Sequence, residues 1–342
     1  MIKVHCFVSC VCEVIKKIEG LDHRPFYFGV WDADFDITED YVLSYHSEII
    51  NHDFFCTWYE HLYGIKLNRW YQDELSKEEN VENMLKLMED KPSGRHLMVM
   101  LDLSLLPERE NKFHQRPFPH YVMLDTTSNP EEWMMFDPDF RWEGTLLKKK
   151  ILNAIMEPTV GGGYYFDERE LVKPTDETIE AYFNTCLKLD CNPMTEGIRS
   201  IVAAFTEGER SNELHELGNS LKQIPVLAIR KYAYEHAFAY FFNELELDEE
   251  EFEMWCDEIE RLVKGYTTVQ YRAMKLAMTR NEKHQEAIHM QLDHQDERET
   301  AIKQALKQYF EKWSSRQNQV GQDNMNKKRL EGKEHHQILS LS

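Results

Sequence analysis

Two apolar runs decide the fold: His120-Tyr121-Val122-Met123-Leu124 and Trp133-Met134-Met135-Phe136-Asp137, separated by the turn-rich Asp125-Thr126-Thr127-Ser128-Asn129-Pro130-Glu131-Glu132. Runs of this length, bounded by Asn, Asp, Ser and Pro, predict two antiparallel strands joined as a hairpin. With the turn centred between Ser128 and Asn129, His120 and Asp137 lie directly opposite each other and project from the same face. An imidazole and a carboxylate are thereby set side by side. Both faces of the hairpin are otherwise apolar, so it is expected between two layers.

Working outward, Leu97-Met98-Val99-Met100-Leu101, bounded by Pro92, Gly94 and Asp102, predicts a third, buried strand. Pro107, Pro117 and Pro119 mark the loop between it and the hairpin. Near the chain start, Phe7, Val11, Val14, Ile15 and Ile18 repeat with helical spacing and Gly20 comes next as a stop. Cys6 is expected in the first turn of this helix, where backbone N–H groups and the helix dipole favour a thiolate. Residues 26–53 are aromatic and acidic without a helical period and predict short strands and loops, whereas 54–75 and 77–90 predict helices. The reading is an α+β domain over 1–168, a helical domain over 169–313 with segments at 175–189, 195–206, 214–245, 248–266 and from 268, and a polar, aperiodic tail over 314–342.

Composition sets the class of partner. The 342 residues carry a formal net charge of −21, which argues against nucleic acid, since phosphate affinity comes from Lys and Arg. Ten of the seventeen residues from Glu244 to Glu260 are acidic and none is basic. Such a run is ordinarily a solvated face, but its field also concentrates polycations. The seven cysteines have no disulfide-like spacing and are expected as reduced thiols of a cytoplasmic protein. The apolar start is interrupted by Glu13, Lys16 and Lys17, and no run reaches the length of a membrane span.

A Cys at a helix start, a His on a strand and an Asp one hairpin later are the parts of a papain-like nucleophile site: a thiolate to attack an acyl carbon, an imidazole to hold or move the proton, and an acid to fix the ring. Cys6, His120 and Asp137 are therefore the catalytic candidates. Cys10 and Cys12 fall in the helix interior and are assigned to packing. Asp32-Ala33-Asp34-Phe35-Asp36 imitates a calcium loop, but Ile37 replaces the required glycine and Leu43 the closing glutamate. A solvated loop, or a patch in which Asp32 and Asp34 receive a polyamine, is the better reading. His46, His52 and Cys56 lack the partners of a zinc site, so no metal is expected. Asp102 is either a substrate contact or a turn residue capping the backbone just beyond its strand. The triple glycine 161–163 lacks the Lys-Ser/Thr of a phosphate loop and is read as a close backbone approach or a hinge. The rings of Tyr232, Tyr234, Phe238, Tyr240, Phe241 and Phe242 are read as core.

The order of His5-Cys6 at a helix start, a strand ending in Asp102 with Pro107 after it, His120-Tyr121-Val122 and then Asp137-Pro138 resembles the N-terminal domain of the butirosin-biosynthesis acyltransferase family. That family is similar to the peptidase C39 branch of papain-like folds. Over nearly the whole chain the sequence more closely resembles the petrobactin siderophore aryl transferases, on Asp22-His23-Arg24-Pro25-Phe26-Tyr27-Phe28-Gly29-Val30-Trp31-Asp32-Ala33-Asp34-Phe35, on 101–113 and on Ile229-Arg230-Lys231-Tyr232-Ala233-Tyr234-Glu235-His236. The resemblance implies a C39-like catalytic domain followed by a helical one, with Cys6 as nucleophile, His120 as base and Asp137 as orienting acid. It implies transfer of a 3,4-dihydroxybenzoyl group from an aryl carrier protein to spermidine, with no bound cofactor and the phosphopantetheine arm supplied by the carrier. One departure stands out: C39 peptidases place a glutamine shortly before the cysteine as oxyanion donor, and only residues 1–5 stand there. The donors are then expected to be helix-start N–H groups, joined by His5. Docking an acidic carrier calls for a basic patch, for which Arg141 and Lys148, Lys149 and Lys150 are the candidates. A thioesterase or peptidase on the same residues, and a non-catalytic carrier scaffold, are the competing readings.

Overall fold

The computed structural model describes residues 4–109 and 113–339, with side chains as far as residue 317. In chain order the elements are α1 (Cys6–Ile15), β1 (Asp36–Ile37), β2 (Leu43–Ser44), α2 (Asp53–Tyr63), β3 (Asn68–Arg69), α3 (Lys77–Glu89), β4 (Arg95–Asp102), β5 (Pro119–Thr126), β6 (Glu132–Asp137), β7 (Trp142–Leu147), α4 (Lys148–Ile155) and β8 (Gly163–Asp167). The second half of the chain adds α5 (Asp176–Cys186), α6 (Pro193–Thr206), α7 (Leu217–Ser220), α8 (Ile224–Ala228), α9 (Ala233–Leu245), α10 (Glu249–Thr279) and α11 (Glu282–Leu339). Among the described residues, the strands and four interleaved helices occupy the first half of the chain and helices alone the second, a mixed helix-and-sheet architecture consistent with the α+β expectation.

Six strands form one sheet in the order β3-β8-β4-β5-β6-β7, each neighbour antiparallel to the next. The central strands β4 and β5 are buried on both faces. On one face Leu97, Val99, Leu101, Val122, Leu124 and Met135 pack with Met84 and Met88 of α3 and Ile151 and Ile155 of α4. On the other, Met98, Met100, Tyr121 and Met123 join Phe7, Val8 and Val11 of α1 in a core that continues into α5, α9, α10 and α11 as far as Trp313. The aromatic turn Arg24–Gly29 fills the space between: Phe26 stacks on Tyr59 at 3.4 Å, Tyr27 on His236 at 3.8 Å, and Trp31 on Tyr234 at 4.8 Å.

Several sequence expectations need correction. The β5–β6 hairpin places Met123 opposite Phe136 and Leu124 opposite Met135, two residues from the expected register, because its turn falls later, around Asn129 and Pro130. A slip of one residue would reverse the faces; a slip of two leaves every side chain on the face predicted for it. Helix α2 stops at Gly64, which takes the left-handed conformation (φ +70°), and the chain from 68 forms edge strand β3 where helix was expected. The 214–245 segment is broken into α7, α8, α9 and intervening turns, with Pro225 starting a new helix at its first turn. Helix α10 runs on to Thr279 and ends at Arg280 in the left-handed conformation. The backbone of α11 continues across 314–339, the stretch read as an aperiodic tail; Gln, Lys, Glu and Arg are good intrinsic helix formers, so a helix there needs no apolar period.

Among the described residues no helix is long and apolar enough to cross a membrane.

Candidate active site

Cys6, His120 and Asp137 come together where the N-terminus of α1 meets the β5–β6 hairpin. Cys6 is the first residue of α1, whose other side chains bury Phe7, Val8, Cys10 and Val11 against the sheet. That apolar face fixes the helix, and with it the direction in which the half-buried Cys6 presents its sulfur. His120 stands near the start of β5, paired with Leu101 of β4, and Asp137 is the last residue of β6. His120 Nε2 lies 3.0 Å from Asp137 Oδ1, and His120 and Cys6 line the same cavity, close enough for Cys6 to act on the charge of the ring. With Nε2 committed to the carboxylate, Nδ1 is the ring nitrogen left for a further partner.

The electrostatics of the site come from burial and charge. Burial alone would lower the His120 pKa, but the Asp137 carboxylate, and Cys6 beside it, hold it well above the ordinary histidine value. Burial likewise works to raise Asp137, and the His120 and Arg109 charges hold it below the usual carboxylate range. Asp137 is fully buried yet satisfied: besides His120 it accepts from Arg109 Nη2 at 2.5 Å and from the Phe140 backbone N–H at 3.2 Å. Arg109 is itself stacked 4.4 Å from the Trp142 ring centroid. Asp139, two residues on, accepts from Ser9 Oγ at 2.9 Å and from the His5 backbone N–H, tying the loop after β6 to the start of α1.

A cavity of about 60 Å³ opens on Cys6 and His120, walled by Tyr45, Phe113, Phe118, Phe140, Met100 and Arg230. His5 and His52 line both it and a neighbouring cavity of about 130 Å³ that contains Asp34 and Asn51. A larger cavity, about 640 Å³, lies along the later part of α1, from Ser9 to Val14; it reaches Asp137 and Trp142 but neither Cys6 nor His120, so the chemistry is placed at the smaller one.

The other sequence candidates are dispersed. His5 caps α1 through its backbone, its carbonyl accepting from Ser9 N at 2.8 Å; its ring is buried, Nδ1 has no protein partner, and burial with the nearby Arg230 charge drives its pKa far down. Asp32 is held away from the Cys6 cavity: its carboxylate takes Lys231 Nζ at 2.7 Å and Lys303 Nζ at 2.9 Å, so both oxygens it could offer a polyamine are used. Asp34 is exposed. Asp102 is a capping residue at the end of β4, accepting at 2.9 Å from the backbone N–H groups of both Ser104 and Phe118. Arg141 borders the large cavity, Lys148 lies over the Trp133 ring at 5.2 Å, Lys149 is exposed and Lys150 pairs with Glu108; none of these four borders the Cys6 cavity. The glycine run admits close packing, for a Cβ on Gly163 would sit 2.0 Å from the Trp70 ring and one on Gly162 2.3 Å from Tyr121 Oη. Among the described residues no group of three or more His, Cys, Asp or Glu could hold a metal. Arg109, Asp139 and Arg230 carry no signal in the sequence that marks them for the site, and His52, weighed there only as a zinc ligand, lines the cavity instead. Arg109 and Arg230 do fall inside two of the stretches that carry the family resemblance, but no local pattern distinguishes them from surface arginines.

Comparison with known proteins adds to this geometry. The chain is 51% identical to petrobactin synthase of Bacillus anthracis over 312 residues, 91% of this chain and 95% of that protein. The DUF6005 N-terminal domain matches residues 1–171 and the DUF6005 C-terminal domain residues 177–327. With nearly its whole length covered by the two domains in succession, the chain belongs to the DUF6005 family.

Proposed function

We propose that the protein is an acyltransferase of petrobactin biosynthesis, moving a 3,4-dihydroxybenzoyl group from the phosphopantetheine thioester of an aryl carrier protein to a primary amine of spermidine. The observation that carries this reading is the chain of contacts from Cys6 to His120 to Asp137 at the N-terminus of a helix, in a relative of petrobactin synthase. The papain-like character of the catalytic half belongs to the same proposal.

In the first half-reaction the Cys6 thiolate adds to the thioester carbonyl carbon, placing a negative charge on its oxygen beside the helix-start N–H groups. Collapse re-forms the C=O bond and expels the pantetheine sulfur, which takes the proton from the His120 imidazolium. In the second, the neutral amine adds to the Cys6 thioester and His120 accepts the proton from nitrogen. Collapse then expels the Cys6 thiolate, leaving the amide and restoring the ion pair. Asp137, locked by Arg109 and the Phe140 N–H, keeps the ring oriented through both. The apolar, aromatic walls of the Cys6 cavity suit an aryl group and limit water, favouring amine over hydrolysis. Asp34 is the acidic group placed to receive a distal ammonium.

The test is incubation with aryl-loaded carrier protein and spermidine, following amide formation and intact protein mass. A transient aryl adduct on the wild-type chain and its absence in Cys6→Ala, with amide formation slowed by at least about 10³-fold, are expected. Amide formed by Cys6→Ala at the wild-type rate would exclude the nucleophile, and release of free acid without amine would make the protein a hydrolase.

A further inference from the structure

The Cys6 cavity contains a cation from the other half of the chain. Arg230 lies just after α8 in the helical half and lines that cavity with Cys6 and His120. It is 7% exposed, and its described hydrogen bonds both leave from Nη1, to the carbonyls of Ala33 at 3.1 Å and Asp34 at 2.8 Å. Among the described residues no carboxylate forms an ion pair with it, in contrast to Arg109, whose charge is spent on Asp137. A guanidinium this buried is costly unless an anion answers it. The backbone hold is rigid, because the adjacent Lys231 grips Asp32 of the same loop.

We propose that Arg230 is the anion-binding catalytic residue of the Cys6 site, holding the thiolate at rest and, as the thiolate adds to a carbonyl, the oxygen that takes over its charge. The groups facing it agree. Cys6, Tyr45, Asp34 and Asp139 act on it in the direction that favours its charged form, with Cys6 foremost, and burial lowers it only to about 10, so it stays a cation at neutral pH. His5 and His52, also nearby, are pushed far down or to about 3 and are neutral there. Two hydrogen bonds from Nη1 leave Nε and Nη2 without a described protein acceptor, the donor supply an oxyanion needs. The helical half thus completes the site instead of merely buttressing it.

The thiolate part of this inference is independent of the acyl-transfer reading, whereas the oxyanion part rests on it, and the experiment separates them. The full chain is alkylated with anionic iodoacetate and with neutral iodoacetamide, and modification of the Cys6 peptide is followed by mass spectrometry. Arg230→Gln is expected to lower the iodoacetate-to-iodoacetamide rate ratio at Cys6 by about tenfold, and Arg230→Lys, which keeps the charge, to leave it near wild type. In the amide-forming assay both variants are expected to lose about 10²-fold or more, since Lys cannot supply the paired donors. An unchanged ratio in folded Arg230→Gln overturns the proposal. So does a wild-type ratio no higher than that of N-acetylcysteine, a measurement that needs no variant. A lowered ratio in a protein that makes no amide leaves the thiolate role standing and sinks the transferase reading.

Discussion

Among the described residues four histidines, His5, His46, His52 and His120, line the Cys6 cavity, and burial pushes each toward neutrality. Only His120 has the Asp137 carboxylate and Cys6 beside it, so it alone is held well above the ordinary value, while His52 is lowered to about 3 and His5 and His46 are lowered as well. The linkage signs differ. His120 contributes stability that is full below the unfolded value of about 6.5 and lost as pH rises through its raised folded pKa. His52 does the reverse: the unfolded chain takes up its proton first, so stability falls as pH drops from about 6.5 toward 3. Phenylalanine at 52 keeps the ring that stacks on Phe7 at 4.2 Å and removes the proton uptake. His52→Phe is therefore expected to flatten the fall in urea-unfolding stability between about pH 6 and pH 5 by up to about 1.4 kcal/mol per pH unit. Parallel wild-type and variant profiles would show that His52 does not titrate in this way.

At the scale of elements, the sheet's second strand in spatial order, β8, is placed by what its glycines omit. Trp70 packs where a Gly163 side chain would stand, donating from Nε1 to Met98 O at 3.1 Å, and Tyr121 occupies the space above Gly162. Gly163→Ala is expected to destabilise the protein by about 1–3 kcal/mol through overpacking, visible as a lowered urea midpoint with altered tryptophan fluorescence. A midpoint equal to wild type would mean that Trp70 has another rotamer available at no cost. The hairpin illustrates how much of an element the sequence carries. Periodicity and turn residues were enough for β5, β6 and the shared face of His120 and Asp137. The register was not recoverable, because the long turn region offers several closures and the choice among them is made by packing of Trp133 and Met135 against α3 and α4.

At the scale of the whole molecule, the two halves are joined by a core and a charge cluster. Lys231 lies 2.7 Å from Asp32 and 2.6 Å from Glu299, Lys303 lies 2.9 Å from Asp32, and Tyr234 and Tyr266 donate to Glu299 at 2.8 and 3.1 Å. Two lysines and two carboxylates compensate one another out of water, so the cluster is satisfied as a set and intolerant of losing one member. Lys231→Met is expected to cost about 3–5 kcal/mol and to lower amide formation by loosening the Asp32–Asp34 loop that carries Arg230. A small loss, under about 1 kcal/mol by urea unfolding, would mean that the remaining charges rearrange. The same cluster explains why an acidic pair that looks exposed in sequence is divided in the fold, Asp32 becoming a buried structural anion and Asp34 remaining at the surface.

What the sequence by itself determined is the local grammar: the helix behind Cys6, the strands around His120 and Asp137, and the character of the helical half. It also determined the family, through stretches scattered along the chain. Those features are legible because periodicity, caps and breakers act over a few residues. Only the tertiary structure decided that Arg109 locks Asp137, that Asp102 serves two backbone N–H groups, that Lys148–Lys150 stand apart from the Cys6 cavity, and that Arg230 lines that cavity with Cys6 although more than two hundred positions separate them in the chain. A buried charge is defined by its partners and its distance from water, and both are set by how the layers close, which no local pattern records.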